Sequence, residues 1–141
     1  MTDIKHINVG ELQSLLSSMD IDSMVDSEGA VYCVFPADDD FNCDVVFHFT
    51  NDDDGWFGIE AIADGFGLDE DSLGQALVIC NEFSRRARIT KAFVMNGRFK
   101  LDQWTVFPAG ADNDFIIQYI ELVLNLCWNF FVSARRKLLQ N

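Results

Sequence analysis

The chain has 141 residues, with 23 Asp and Glu against 10 Lys and Arg, so its net charge is −13. Because 49% of the residues are hydrophobic, the chain can bury a sizeable core, which excludes intrinsic disorder. The length predicts a single domain over residues 1–141. The negative charge excludes nucleic-acid binding through bulk attraction to phosphates.

The acidic residues are concentrated in one part of the chain. Residues 1–81 carry a charge of −17, whereas residues 82–141 carry +4. We therefore expect acidic loops at one end of the fold and a basic patch elsewhere. The N-terminal residues contain no apolar run of signal-peptide length, which predicts a cytoplasmic location.

The first predicted element is a short amphipathic helix over residues 8–19. Asn8 and Glu11 have the spacing of a capping box, and apolar residues follow at helical intervals. Aromatic and β-branched residues then predict three antiparallel strands at 30–35, 43–49 and 56–63. Acidic hairpin loops connect these strands.

A second helix follows, with Asp69 as its N-cap. Its predicted buried stripe consists of Leu73, Ala76, Leu77, Cys80 and Phe83. A basic patch follows at its carboxyl end, consisting of Arg85, Arg86, Arg88 and Lys91. The patch complements the helix dipole and either binds an acidic ligand or pairs with acids of this protein or of a partner protein. We favour pairing.

The strongest local signal is Asn96-Gly97, which is typical of a type I′ hairpin between strands at 92–95 and 98–107. A long helix over about 112–139 ends the chain. The order of elements is therefore α-β-β-β-α-β-β-α. This order predicts an α+β fold in which a five-stranded antiparallel sheet carries its helices mainly on one face.

The last helix is apolar almost all round. The stripe predicted to dock on the sheet is Phe115, Ile116, Tyr119, Leu122, Val123, Leu126, Cys127 and Phe130. A second stripe, predicted to bind a protein partner, is Ile117, Ile120, Leu124, Trp128 and Phe131. It either forms a homodimer contact or is covered by the first helix and the loops.

The same helix is long enough to span a bilayer, and a cluster of basic residues follows its apolar run. Polar residues spaced through its middle, among them Gln118 and Glu121, are costly in hydrocarbon. We therefore predict a core helix and no membrane insertion.

The Asp triplets in the hairpin loops raise the question of a metal site. Residues 51–55 read N-D-D-D-G, but the calcium-loop pattern fails at Thr50 and Ala61, where an Asp and a bidentate Glu are expected. The triplets are predicted to be solvated hairpin tips, and we expect neither a metal nor a cofactor. Gly65-x-Gly67 is interpreted as a turn before the second helix, because the third glycine of a dinucleotide fingerprint is absent.

Catalytic patterns are also weak. With only His6 and His48, no pairing of a base with a nucleophile can be placed, so we predict that the protein is not an enzyme. The four cysteines are far apart and are predicted to be buried thiols. Cys33 and Cys43 are the pair that can face one another across a hairpin.

The passage over 80–93, CNEFSRRARITKAF, resembles the YbjN-type proteins, which are described as candidate bacterial sensory transduction regulators. In that family an Asn in the second helix, a basic helix end and a "kay"-like strand recur. Asn81, Arg86, Lys91, Ala92 and Phe93 occupy those places in this sequence.

The YbjN-type proteins are similar in fold to the class I chaperones of type III secretion. The resemblance implies five antiparallel strands, three helices and a tendency to dimerise, and it implies no catalytic residues. Our main hypothesis is a non-enzymatic protein-binding regulator or chaperone-like adaptor. The alternative is a small-molecule or ion sensor with a pocket between the helices and the sheet.

Overall fold

A computed structural model describes residues 4–52, 54–88 and 90–139. The described helices are α1 (Val9–Ser18), α2 (Glu70–Arg86) and α3 (Asn113–Leu139). The described strands are β1 (Ile4–Lys5), β2 (Met24–Val25), β3 (Val31–Phe35), β4 (Val45–Asn51), β5 (Phe57–Gly67), β6 (Lys91–Met95), β7 (Arg98–Thr105) and β8 (Phe107–Pro108). The predicted α+β class is confirmed.

The main sheet has six strands in the order β2-β3-β4-β5-β7-β6, and every neighbouring pair is antiparallel. Strands β3 to β7 are the five that the sequence predicts. The sixth, β2, pairs Met24 with Tyr32 at the sheet edge. Two residues are too short to show alternation, which is why the sequence pattern missed this strand. Strands β1 and β8 form a separate two-stranded ribbon.

The hairpin between β6 and β7 confirms the clearest turn signal of the sequence. Asn96 and Gly97 have φ angles of 55° and 73°, the two left-handed conformations that a type I′ turn needs. The predicted turn at Gly65-x-Gly67 is wrong. Strand β5 continues through both glycines, and Gly67 pairs with Arg98 after an irregularity in the register.

All three helices lie on one face of the sheet, as predicted. Helix α1 contacts β3, α3 contacts β5, and α2 contacts β6. The sheet residues alternate accordingly: Val45, Phe47 and Phe49 of β4 are buried, whereas the residues between them are half-buried. The alternation of buried and half-buried side chains along β4 therefore agrees with a sheet whose helices cover one face.

Helix α1 begins as the sequence predicts. The Asn8 side chain accepts a hydrogen bond from the Glu11 backbone amide at 2.8 Å and donates one to the Glu11 carboxylate at 2.7 Å. Ile7 and Leu12, at the positions of a hydrophobic staple, are both buried. The N-terminus of this helix is therefore determined locally.

Helix α2 is capped by Asp69, whose carboxylate accepts from the Ser72 amide at 2.8 Å. Near its other end, the Ser84 hydroxyl donates to the Ala92 carbonyl at 3.0 Å and accepts from the Ala92 amide at 2.9 Å. Strand β6 is a sheet edge, so this side chain satisfies backbone groups that would otherwise be unpaired.

The predicted buried stripe of α2 is only partly correct. Ala76 and Cys80 are buried, and Ile79 joins them, but Leu73 is 38% exposed and Leu77 is 49% exposed. The apolar residues of α2 occupy a wider arc of the helix surface than the arc that the sheet and α3 bury. Apolar surface on α2 therefore remains in contact with solvent.

Helix α3 has the length and apolarity to cross a membrane by composition alone. Here it packs against the sheet between the other two helices. Eight of its residues are buried inside the protein: Ile116, Ile120, Val123, Leu124, Cys127, Phe130, Phe131 and Ala134. Its apolar character is explained by contacts on several sides within the chain.

Candidate protein-binding site

The stripe predicted to bind a partner is largely internal. Ile120 and Phe131 have no solvent exposure, and Leu124 is 2% exposed, so the prediction is wrong for these three residues. Ile117 and Trp128 are half-buried and pack against the core. The alternative, in which the first helix and the loops cover this face, describes the structure correctly.

Part of the cover is supplied by the loop between β3 and β4. Phe41 in this loop is fully buried, with its ring centroid 5.4 Å from that of Phe131 and 5.9 Å from that of Trp128. Arg135 donates to the Asp39 and Asp40 carbonyls at 3.3 and 3.1 Å. The acidic loop between β3 and β4 therefore holds the Phe41 ring against α3.

The acidic loops use their carboxylates to hold their own backbone. Asp38 accepts from the amides of Asp40 and Phe41, and Asp52 accepts from the amides of Asp54 and Trp56, all between 2.8 and 3.0 Å. Among the residues that the structure describes, no group of three or more His, Cys, Asp or Glu side chains is placed to hold a metal ion. Asp53, the middle of the second triplet, lies outside the described residues.

The thiols and histidines are dispersed. Burial raises the pKa of Cys33 and Cys127 to about 12 and that of Cys80 to about 11, which disfavours their thiolate forms. Cys43 is only half-buried, so the prediction of a buried thiol is wrong there. Cys33 lies opposite Phe47 in the sheet, and therefore it does not face Cys43 across the hairpin.

The histidines lie in different parts of the chain, His6 in the link between β1 and α1 and His48 on β4. His6 is exposed, whereas His48 is half-buried on β4, opposite Glu60 and with its ring centroid 5.8 Å from that of Tyr32.

The strongest candidate site is an open groove of about 330 Å³ between α2 and α3. Ile79 and Phe83 line it from α2, and Leu126 and Phe130 line it from α3. The Phe83 and Phe130 rings meet edge to face, with centroids 4.9 Å apart. These four residues give the groove an apolar floor, which we call the groove floor.

The two helices that border the groove are antiparallel. The Gln75 amide donates to the Lys137 carbonyl at 3.0 Å, so the first half of α2 lies beside the end of α3. Farther along α2, Phe83 meets Phe130 of the middle of α3. Arg86 and Lys137, which both line the groove, are therefore at opposite ends of it.

Beyond the end of α2, the apolar surface continues along α3. Leu122 precedes Leu126 by one helical turn and is 45% exposed, and Phe115 is 53% exposed. Both residues belong to the stripe predicted to dock on the sheet, and for these two the prediction is wrong. The apolar surface beside the groove floor is thus extended by the exposed part of Leu122 and by the part of Phe115 that its edge-to-face contact with Phe107 leaves open.

The predicted basic patch is divided among three places. Arg86 lines the groove, Arg85 and Arg88 are exposed outside it, and Lys91 begins β6 opposite Asp102 of β7. The ion pairs among the described residues are Arg98 with Asp64, Lys100 with Glu60, and Arg136 with Asp40. None of the four patch residues takes part in these ion pairs, although Lys91 lies across from an acid, Asp102. Pairing of the patch with acids of a partner protein stays a prediction.

Sequence reasoning missed the groove because its two walls are distant in sequence. Amphipathic patterns define one buried side of a helix, but they do not show how closely two helices approach. The available signal was the excess of apolar residues on both α2 and α3 over what a single contact requires.

No protein-family model matches the sequence, and no curated protein is significantly similar to it. A search of solved structures finds the crystal structure of YbjN from E. coli, which is described as a candidate transcription regulator. The two structures agree with a TM-score of 0.71 over 96% of each chain, at 10% sequence identity. The resemblance inferred from the sequence is therefore confirmed at the level of fold: this chain has the YbjN-type fold.

Proposed function

We propose that the protein is a non-enzymatic regulator that binds a protein partner in the groove between α2 and α3. The partner segment is apolar where it meets the groove floor and acidic at its ends. The observation that carries this proposal is an apolar groove bounded by cations on a protein whose net charge is −13.

The groove floor offers the apolar contact. Phe83 and Leu126 are half-buried, and Leu122 is exposed at one end of the groove. A partner side chain that becomes fully buried there gains about 1.5–3 kcal/mol of hydrophobic stabilisation. A few such anchors supply most of the binding free energy in protein interfaces.

The rim determines the charge of the partner. Arg86 and Lys137 are exposed at opposite ends of the groove, and Glu82 lies on the rim between them. Carboxylates at the two ends of a bound segment complement the two cations. The net charge of −13 disfavours a uniformly acidic partner, so a segment with acids only at the ends of its apolar part fits the groove better.

YbjN is described as a candidate transcription regulator. For this chain, contacts with a protein are a more favourable route to regulation than contacts with DNA, because a charge of −13 opposes binding to phosphates. A chaperone-like adaptor that holds an exposed segment of its partner uses the same groove.

Site-specific photo-crosslinking tests the proposal in cells of the source organism. A photoreactive phenylalanine analogue at Asn129, an exposed residue of the groove, is expected to crosslink a partner segment that peptide mass spectrometry identifies as apolar with acidic flanks. The analogue at Thr50, exposed on β4, is the control. Adding Ser133→Trp fills the groove and is expected to abolish the crosslink.

A crosslink from Asn129 that persists unchanged with Ser133→Trp contradicts the proposal. Equal crosslinking from Asn129 and Thr50 does so as well. Once the segment is identified, Arg86→Glu and Lys137→Glu should each weaken its binding at low salt, and the loss should shrink at high salt. Arg88→Glu, which reverses an exposed cation outside the groove, is the matched control.

A further inference from the structure

A second groove lies on the other side of α3, between α1 and α3. It consists of two adjoining hollows of about 590 and 390 Å³. Ser18 and Ile117 line both hollows, so the two form one continuous depression, which we call the α1/α3 groove. This groove shares no lining residue with the groove between α2 and α3.

The floor of the α1/α3 groove is apolar. Leu15 lies in one hollow, Phe35 and Leu124 lie in the other, and Ile117 lies between them. Leu15 and Leu124 are buried, whereas Phe35 and Ile117 are half-buried. Ile117 belongs to the stripe that the sequence predicted to bind a protein partner, so a part of that stripe remains accessible in this groove.

The charged residues that line the α1/α3 groove are acidic. Glu11 of α1 and Glu121 of α3 are exposed on its rim, and no Lys or Arg of the described residues lines either hollow. Neither carboxylate takes part in an ion pair within the described part of the chain. Glu11 accepts a hydrogen bond from the Asn8 side chain at 2.7 Å, which leaves further acceptor positions on its carboxylate. Both carboxylates can therefore meet cations of a bound molecule.

Acidic residues continue beyond one end of this groove. Asp112 and Asp114 flank Asn113, which lines the groove where α3 begins. The groove between α2 and α3 differs, because Arg86 and Lys137 lie at its ends. Helix α3 thus separates two apolar grooves whose rims favour partners of opposite charge.

We propose that the α1/α3 groove binds a basic amphipathic helix of a partner protein. The apolar side chains of that helix lie over Ile117 and enter the two hollows, and its Lys or Arg side chains meet Glu11 and Glu121. A helix is favoured because the groove runs between two helices, where the side chains of a third helix can pack into the space between theirs. The acidic rim disfavours acidic segments and phosphate backbones.

The groove also determines the length of the bound helix. Asn113 and Asn125 of α3 line its two ends and lie about 18 Å apart along the helix axis. A helix of about 12 residues spans this length, with apolar residues three and four positions apart on one side. Because a contact with one short helix is smaller than a standard stable interface, we expect micromolar affinity.

Fluorescence anisotropy with a labelled peptide and the full chain tests the proposal. The probe is a designed peptide of about 14 residues, with Leu at helical intervals of three and four and Lys elsewhere. The control peptide has Glu in place of every Lys. At low salt the Lys peptide should bind with a dissociation constant of roughly 1–100 µM, and the Glu peptide should bind at least about tenfold more weakly. Two-dimensional amide NMR should show shifts at Gly10, Ser18 and Ile117.

Charge variants test whether the rim attracts the peptide. Glu121→Lys should weaken binding of the Lys peptide at least about fivefold, whereas Glu70→Lys, on exposed surface of α2, makes the same change in net charge and should weaken it less than about twofold. Glu11→Gln removes the other rim charge, and Gln can still accept the hydrogen bond from Asn8. This variant should weaken binding about two- to fivefold.

A filled groove tests the site itself. Ser18→Trp places a large ring where the two hollows join and should abolish binding of the Lys peptide. Ser17→Trp is the matched control, because Ser17 is exposed on the same helix and lines neither hollow. Circular dichroism establishes that all variants are folded.

Several outcomes overturn the proposal. They are no binding of the Lys peptide at roughly 1 mM, equal binding of the two peptides, and equal weakening by Glu70→Lys and Glu121→Lys, which indicates attraction to the net charge alone. Amide shifts confined to the groove between α2 and α3 overturn it as well. The crosslink from Asn129 tests that other groove, so the two sites fail independently.

Discussion

The burial of Phe131 has a measurable consequence. The sequence placed this residue on a surface for partners, but its side chain has no solvent exposure. Its ring centroid is 5.4 Å from that of Phe41 and 5.6 Å from that of Phe130. Removing a fully buried Phe ring loses its hydrophobic stabilisation and leaves a cavity, so Phe131→Ala should lower the free energy of unfolding by about 3–5 kcal/mol.

Part of this loss comes from the neighbouring rings. The contact with Phe41 should contribute about 0.5–1.5 kcal/mol beyond the burial of area. A double-mutant cycle with Phe41→Ala therefore measures whether the loop between β3 and β4 holds its aromatic anchor against α3. A coupling energy near zero contradicts that contact.

Urea unfolding followed by far-UV circular dichroism measures these changes. Leu122→Ala is the control on the same helix, and because Leu122 is 45% exposed its loss should be about 1 kcal/mol or less. Domains of this kind have a stability of about 5–15 kcal/mol, so a milder variant, Phe131→Leu, keeps the test informative where the alanine variant fails to fold. A loss below about 1 kcal/mol for Phe131→Ala, accompanied by a change in oligomeric state, refutes the assignment of Phe131 to the core.

Two further predictions concern the sheet and the thiols. A Cβ at Gly58 would lie 2.6 Å from the Trp104 ring, so Gly58→Ala should lower the free energy of urea unfolding by about 1–3 kcal/mol. Gly67→Ala is the control and should be neutral or stabilising, because a Cβ at Gly67 would meet no atom within 4 Å. Equal effects of the two substitutions contradict the close contact. Burial raises the pKa of the Cys127 thiol from 9.0 to about 12, so the unfolded chain releases this proton first and the free energy of unfolding should fall as the pH rises from about 9 to 12. When the free energy of unfolding is plotted against pH over this range, the slope for Cys127→Ala should be shallower than that of the wild type by up to about 1.4 kcal/mol per pH unit. Equal slopes contradict the burial of this thiol.

The positions of most helices and strands were determined by local sequence. Asn8 and Asp69 cap their helices, and Asn96-Gly97 supplies the two left-handed residues of its turn. Each signal acts over a few residues, because caps and turns satisfy neighbouring backbone groups. The strand β2 lacked such a signal, since it is only two residues long.

The covering of each apolar surface was decided by the tertiary structure. The sequence contains two apolar stripes on α3 and a wide apolar arc on α2, but it does not show which parts meet another element. Phe41, in a loop with Asp on its N-terminal side, covers Phe131, whereas Leu77 and Leu122 remain exposed.

The reason for this difference is that periodicity records only the apolar character of a side chain. Burial depends on contacts between residues that are distant along the chain, such as Phe41 with Phe131 or Phe83 with Phe130. The acidic composition was likewise visible from the sequence, but the fold determined where it acts. The fold places Arg86 and Lys137 at the two ends of an apolar groove, on a protein whose net charge is negative.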